Sequence, residues 1–466
     1  MQRNDVIKGV FIVVPLAVLC LLYGLWLVLD TPVYVESLIV GGAILLLFAF
    51  VYIQFVPRVF DFVMGADQDL LSSTVQRTST IGARELLRIL FILAISRMIF
   101  MLGAFLWSLY LNGYTETVLE IQHVWADHQF AGRIISIANK GYAAETGELA
   151  GRYYNLLFPP LYSLIVRLIS PFYLSSIRAG FFVSNLNAIL SGVVLYLLIL
   201  HDSDRRSAVR ALWYYSILPP SFLLTCTIPA STFLLLSLLC IYFARKRFFV
   251  VASLFGAMAA LTERVGIVLV VPLLMEFFNA MTREYRSLEE VTWRFFLKKS
   301  LIGSTFILVP LGFMTYLIIN RKVGGNFFTY VEYLDELYSS HFALFYRVCG
   351  AQTERLINAF RTYESPLVYG VYLPNILFAA ASLLLLLLKG KELRVSYLAY
   401  GLVYFMVVLS QTGVMDAPRQ LFCCFPIIIA MMHLAKNRVV DLLLSLLCIA
   451  GSVIYLGMYV AGWPVV

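Results

Sequence analysis

The segment His123-Val124-Trp125-Ala126-Asp127-His128 sets one carboxylate among two imidazoles and an indole. A carboxylate there can take a proton from a hydroxyl held within hydrogen-bond reach. The plainer alternative is a solvated loop acid beside an interfacial tryptophan. A His/Asp group can also hold a metal, but an H-x4-H spacing with no third ligand is poor for one. No metal and no cofactor is therefore expected. Two guanidinium groups carry the other half of the chemistry. Arg264 lies in Leu261-Thr262-Glu263-Arg264-Val265-Gly266-Ile267, and Arg419 follows Pro418. A planar, permanently charged donor fork suits a phosphate at a membrane surface. Each has a plain counterpart: Arg264 could pair with Glu263 or snorkel to the interface, and Arg419 could pair with Asp416. Arg321, beside Lys322, is a further cation of this kind.

The elements that must position these residues are membrane helices. The chain of 466 residues is 61% hydrophobic and only 13% charged, with a mean hydropathy of +0.85. Soluble domains carry about 25% charged residues. The net charge of +8 therefore reads as retained Lys and Arg in cytoplasmic loops, not as a nucleic-acid surface. Apolar runs predict thirteen spans, near 8–29, 34–57, 87–111, 177–200, 208–224, 228–244, 248–261, 265–279, 300–319, 367–388, 395–411, 420–435 and 439–460. The charged pair Glu263-Arg264 argues for a surface turn between the seventh and eighth, since charges at mid-membrane are costly. With that turn and a cytoplasmic N-terminus, the short basic connections HDSDRR, RKR, KGKELR and KNR all fall on the inside, as the positive-inside rule demands.

Two longer segments, 112–176 and 320–366, fall outside, and they mix aromatics with charges. The run Phe158-Pro159-Pro160-Leu161-Tyr162 to Ile169 is apolar but too short to span, which suits a helix lying in the interface. The expected fold is thus an all-α, polytopic transmembrane helical bundle with two long extracytoplasmic loops containing short interfacial helices. Residues 1–86 form a two-span extension with a cytoplasmic loop, and 87–466 form the main domain. The N-terminal apolar run is longer than a signal-peptide core and lacks an A-x-A site, so it reads as a retained anchor. The seven cysteines read as small core residues, with a Cys226–Cys349 bridge as the one pairing to consider. Asn185 and Asn187, inside a span, should seek interhelical hydrogen bonds.

Four local sequences resemble the PIG-V-like family, relatives of GPI mannosyltransferase 2 in the GT-C class of integral membrane glycosyltransferases. Ile137-Ala138-Asn139-Lys140-Gly141-Tyr142 is similar to its IA-x-x-GY element. Phe158-Pro159-Pro160-Leu161-Tyr162 with Arg167 is similar to its FPLYP…R segment. Leu261 to Ile267 resembles its LTRP-x-G turn, and Pro418-Arg419 with Phe425-Pro426 its late RY…FP element. The resemblance covers roughly 87–460. It departs at the family's Trp-Asp pair: here Ala126 separates Trp125 from Asp127, and an ungapped alignment falls near Phe130. A small insertion would give the role to Asp127.

The resemblance implies transfer of mannose, or another hexose, from a polyprenyl-phosphate donor to a lipid or glycan acceptor on the extracytoplasmic face, with inversion. Asp127 would be the general base, and Arg264 and Arg419 would bind the donor phosphate. His128, Trp125, Glu263, Tyr142 and Arg321 would lie against substrate. The implied setting is a bacterial inner membrane, or the ER membrane in a eukaryote. Two rivals make different demands. A non-catalytic relative that binds lipid-linked sugar or assists a partner would tolerate replacement of Asp127, Arg264 and Arg419. A flippase or transporter of lipid-linked sugars would need charged or broken-helix sites at mid-membrane, and Arg97 is the one cation clearly inside a span.

Overall fold

A computed structural model describes residues 2–29, 34–64, 82–112, 124–126, 129–143, 153–287, 293–413 and 416–465. Among these the chain is helical: α1 (Gln2–Leu29), α2 (Val35–Val63), α3 (Ala83–Asn112), α4 (Gln129–Lys140), α5 (Pro160–Tyr173), α6 (Ser176–Asp202), α7 (Arg205–Ile217), α8 (Ala230–Arg245), α9 (Phe249–Ala260) and α10 (Val270–Ser287) make the first half. The second half holds α11 (Trp293–Ser304), α12 (Leu308–Gly324), α13 (Thr329–Tyr338), α14 (Phe345–Arg361), the single turn α15 (Ser365–Leu367), α16 (Leu373–Lys389), α17 (Val395–Val408), α18 (Ala417–Cys423), α19 (Phe425–Leu434) and α20 (Arg438–Val460).

Eight of the described helical stretches are long and apolar enough to cross a bilayer, or nine if α18 and α19, bent by 79° at Cys424, count as one span. The protein is an integral, multi-pass membrane protein. The thirteen apolar runs form helices of unequal length. The runs at 228–244, 248–261 and 395–411 become the shorter helices α8, α9 and α17, and much of α8 and α17 is buried among other helices. The run at 208–224 breaks after α7, because Pro219-Pro220 lacks the amide donors a helix needs there and opens a 3-10 turn instead. Hydropathy cannot separate a buried short helix from a lipid-facing one, since both are apolar all round. Lipid-facing helices look different in burial: α1 leaves Phe11, Leu21 and Val28 exposed, and α20 leaves Leu443 and Leu447 exposed.

The turn expected at 262–264 is present. α9 ends at Ala260, and a 3-10 turn from Arg264 leads into α10. α5 has the one-sided pattern of an interfacial helix: Tyr162 and Val166 are buried, while Leu164, Leu168 and Phe172 form an exposed apolar row at helical spacing. Cys226 and Cys349 are both free thiols and both buried, so no bridge joins them. Asn187 donates to Thr232 Oγ1 on α8 at 2.7 Å, as an interhelical bond, whereas Asn185 bonds back to Phe181 O in its own helix.

The first two helices pack on the rest along the full length of α2. Near one end, Gly41 lies against the Tyr346 carbonyl and Gly350 of α14 against Ser37. At the other end Arg58 donates to the carbonyls of Gly390 and Leu393. That second end gathers the connections with basic residues. Arg394 grips Glu276 (Nε–Oε1 2.6 Å), Arg245 reaches Asp202 at 2.5 Å, and Glu392 meets Lys389 at 2.7 Å and Lys436 at 2.5 Å. The two ammonium groups outweigh burial at Glu392 and hold its carboxyl at about 2.

Candidate functional site

At the opposite end from the basic connections, four separated stretches of chain meet around one cleft. Its walls include Phe130 from α4, Phe158 and Pro159 ahead of α5, Glu263 and Arg264 at the α9–α10 turn, and Asp416 and Arg419 at α18. Tyr338 and Gln411 close it. The cleft offers about 70 Å³. That is several times the roughly 10–15 Å³ a single water-sized probe needs, and the cleft is lined by two arginines and two carboxylates.

Local structure explains each wall. α4 ends at Lys140, and Gly141 follows at φ +80°, the left-handed conformation that stops a helix cleanly at glycine. Its amide bonds back to Ile137 O at 2.9 Å. The chain then reverses so that Tyr142 donates to the Phe158 carbonyl at 2.7 Å. Tyr142 therefore props the cleft wall from behind and is not among the lining residues. Burial raises its phenol well above the ordinary range. Pro160 then occupies the first turn of α5, where its missing amide costs nothing. At the α9–α10 turn, Glu263 N–H bonds to Ala259 O and Gly266 N–H to Glu263 O. Gly266 sits so close to Ala259 and Ala260 that a Cβ would meet their backbone atoms at 2.6 Å.

The electrostatics of the cleft are asymmetric. Arg419 is clamped between two carboxylates: Nη1 donates to Glu263 Oε1 at 2.8 Å and Nε to Asp416 Oδ2 at 2.8 Å, and Gln420 also donates to Asp416 at 2.6 Å. All three charged groups are largely buried, at 11%, 17% and 9% exposure. Arg264 has no carboxylate partner among the described residues. Its guanidinium lies 5.2 Å from the centre of the Tyr330 ring, with Nη1 3.5 Å from Leu157 O. Burial raises the Tyr330 phenol, and Arg264 opposes that rise. The Glu263–Arg264 pair, one of the two plain alternatives for Arg264, does not form. Glu263 turns to an arginine 156 positions away, because Arg419 can satisfy two acids at once in a dry setting.

Two residues of no obvious chemical promise hold α18 in place. Asn375 on α16 accepts from the Ala417 amide at 3.0 Å, and Gln352 on α14 donates to Thr412 O at 3.0 Å. The Asn375 amide also donates to Gln352 Oε1 at 3.3 Å. A buried asparagine and glutamine inside amphipathic or apolar helices were the only signal in the sequence.

The remaining expected residues are placed as follows. Trp125 is fully buried and stacks on Tyr459 with ring centres 5.8 Å apart. Its carbonyl accepts from the Thr227 amide at 3.1 Å. It is an anchor for the chain and offers no face to a substrate. Asp127 and His128 lie outside the described residues. The described residues on either side are Trp125 and Ala126, both buried, and Phe130, which lines the cleft. Arg321 is exposed at the end of α12, above the Phe327 ring at 4.7 Å and not among the lining residues. Among the described residues no cluster of three metal-ligating side chains occurs.

No protein-family model matches the chain, and no curated protein matches it in sequence. The PIG-V-like likeness is therefore one of short motifs. Solved structures with a similar course of chain include ArnT from Cupriavidus metallidurans in the apo state, at 13% identity over 75% of each chain with a TM-score of 0.41. ArnT bound to undecaprenyl phosphate matches at 13% identity over 82% of this chain and 77% of that one, TM-score 0.41. The oligosaccharyltransferase of Archaeoglobus fulgidus matches at 13% identity and TM-score 0.39, over 81% of this chain. The match spans about half of that enzyme, 53% of its length.

Proposed function

We propose that the protein is an integral membrane glycosyltransferase that takes mannose, or another hexose, from a polyprenyl-phosphate donor. One observation carries this reading. The four stretches that resemble the PIG-V-like motifs, far apart in sequence, converge on a single cleft: Tyr142 backs it, and Phe158, Arg264 and Arg419 line it. A fold with no use for those motifs would have no reason to gather them.

The roles follow from charge. In the transfer step the acceptor oxygen attacks the anomeric carbon and the bond from that carbon to the phosphate oxygen breaks. The polyprenyl phosphate leaves with the electron pair, and the acceptor proton passes to a carboxylate. Arg264, with no acid to neutralise it among the described residues, is the cation that meets the growing phosphate charge. Arg419 acts through Glu263 and Asp416: it fixes the turn that carries Arg264. Asp127 is the proposed base, reached from Trp125 on one side and Phe130 on the other, and direct attack gives inversion. The cleft end of the bundle faces the extracytoplasmic side, and the basic end faces the cytoplasm, as positive-inside placement requires. The acceptor is a lipid or glycan.

Purified Asp127→Asn protein should retain donor binding and lose transfer by at least about a hundredfold, the usual scale for a general base. Undiminished transfer by that variant would remove Asp127 from the mechanism. A non-catalytic lipid-binding role is the second reading, favoured by the compensation of Arg419 by two acids. It requires that wild type bind donor without consuming it. The transporter reading loses its one intramembrane cation, since Arg97 is spent on Ser221, donating to its carbonyl and its hydroxyl at 2.8 Å each.

A further inference from the structure

A second cavity lies behind one wall of the cleft. The wall is a short antiparallel bridge between Phe342 and Gln411, entered through the 338–340 turn at the end of α13: Ala343 N–H bonds to Ser410 O at 3.0 Å, and Thr412 N–H to His341 O at 2.9 Å. Extended backbone sends alternate side chains to opposite faces. Gln411 and Gly413 accordingly line the first cleft, while Thr412 lines the second cavity. Tyr338 borders the first and Ser339 and His341 the second.

The second cavity holds about 310 Å³, within the range of small-ligand sites. Its far side comes from the first two helices, through Trp26, Tyr34 and Ser37, and its floor from α14, through Arg347 and Arg355. Arg347 lies over the Trp26 ring at 5.6 Å, and Arg355 Nη2 donates to Ser339 O at 3.3 Å. The lining thus carries the guanidinium groups of Arg347 and Arg355 together with the Glu354 carboxylate and the His341 imidazole. The cavity opens beside the end of α1, whose apolar side chains are exposed along the helix. Trp26 and Tyr34 have the amphipathic character that places such rings at headgroup level.

We propose that this cavity binds the phosphate-bearing headgroup of an anionic lipid, in a site that exists only because the first two helices pack on α14. Arginine forks supply paired donors to phosphate oxygens, and the lipid tails run down the exposed face of α1. The wall of 338–342 and 410–413 sets that headgroup directly beside the cleft of Arg264. This inference concerns binding alone and stands apart from the transferase reading.

The test is native mass spectrometry of the detergent-purified full chain, titrated separately with phosphatidylglycerol, phosphatidylcholine and inorganic phosphate. Wild type should retain phosphatidylglycerol in preference to phosphatidylcholine. The Arg347→Gln/Arg355→Gln double variant should bind it at least about tenfold more weakly, the loss expected for two charge-assisted contacts. Arg361→Gln, on the same helix outside the cavity, should match wild type. Equal binding by the double variant, or equal retention of both lipids, overturns the proposal. Saturable binding of inorganic phosphate that phosphatidylglycerol does not displace would assign the site to a free anion and overturn the lipid source. Should the double variant not fold, the wild type still decides: its phosphatidylglycerol binding must weaken as salt rises, and salt-independent binding contradicts the proposal.

Discussion

At the scale of residues, two arginines that look alike in the sequence have opposite circumstances. Arg264 touches an aromatic ring and the edge of a carbonyl, whereas Arg419 holds two buried acids. Their variants should therefore fail differently. Arg264→Gln leaves no carboxylate stranded, so thermal unfolding in detergent should be almost unchanged. Donor affinity should fall by about tenfold or more, from the loss of about 1.5–3 kcal/mol of charge-assisted hydrogen bonding. Arg419→Gln strands Glu263 and Asp416, and breaking a buried pair costs about 3–5 kcal/mol. Its unfolding temperature should drop sharply whether or not donor is present. If the two variants shifted stability equally, the division of labour would be wrong. The Asp416–Arg419 pair was legible in the sequence, being one helical turn apart. The Glu263–Arg419 pair was not: nothing local marks a contact across 156 positions, and the neighbouring Arg264 was the nearer partner to consider for Glu263.

At the scale of elements, glycines mark where chains must come close. Gly266 holds the α9–α10 turn tight, and the atoms a Cβ would strike are backbone that cannot swing aside. Gly266→Ala should cost about 1–3 kcal/mol of stability as an overpacked site. It should also displace Glu263 and Arg264 together, so transfer falls more than in Arg264→Gln alone. A circular dichroism melt paired with the transfer assay would show both effects, and wild-type activity with wild-type stability would contradict the packing argument. This turn was legible because two charges interrupt an apolar run. The helix count was less so. α8 and α17 are apolar, short and largely buried among other helices, and hydropathy alone reads burial in protein as burial in lipid. The bridge between Phe342 and Gln411 left no trace at all, since a bridge between two loops has no periodicity to read.

At the scale of the whole molecule, one end of the bundle gathers ion-paired basic connections and the other gathers the cleft. α2 joins the two ends: Gly41 and Ser37 at the cleft end meet α14, and Arg58 at the other end bonds to the carbonyls of Gly390, Lys391 and Leu393. α2 is thus packed against the bundle near both of its ends. Gly350→Leu would drive a side chain into Ser37, whose carbonyl a Cβ would meet at 2.4 Å. It should lower the unfolding temperature and loosen α2 from α14, raising hydrogen exchange at the start of α2. Unchanged exchange there would mean that the contact is dispensable.

The proposed transfer of a sugar from a polyprenyl-phosphate donor is tested by incubating the purified wild-type protein with radiolabelled polyprenyl-phosphate mannose and membrane lipids. Label should appear in a new product with wild type, and Asp127→Asn and Arg264→Gln should each suppress it while both proteins remain folded. Label that stays wholly on the donor with wild type, while the same donor binds saturably, would contradict transfer of this sugar and favour the lipid-binding reading.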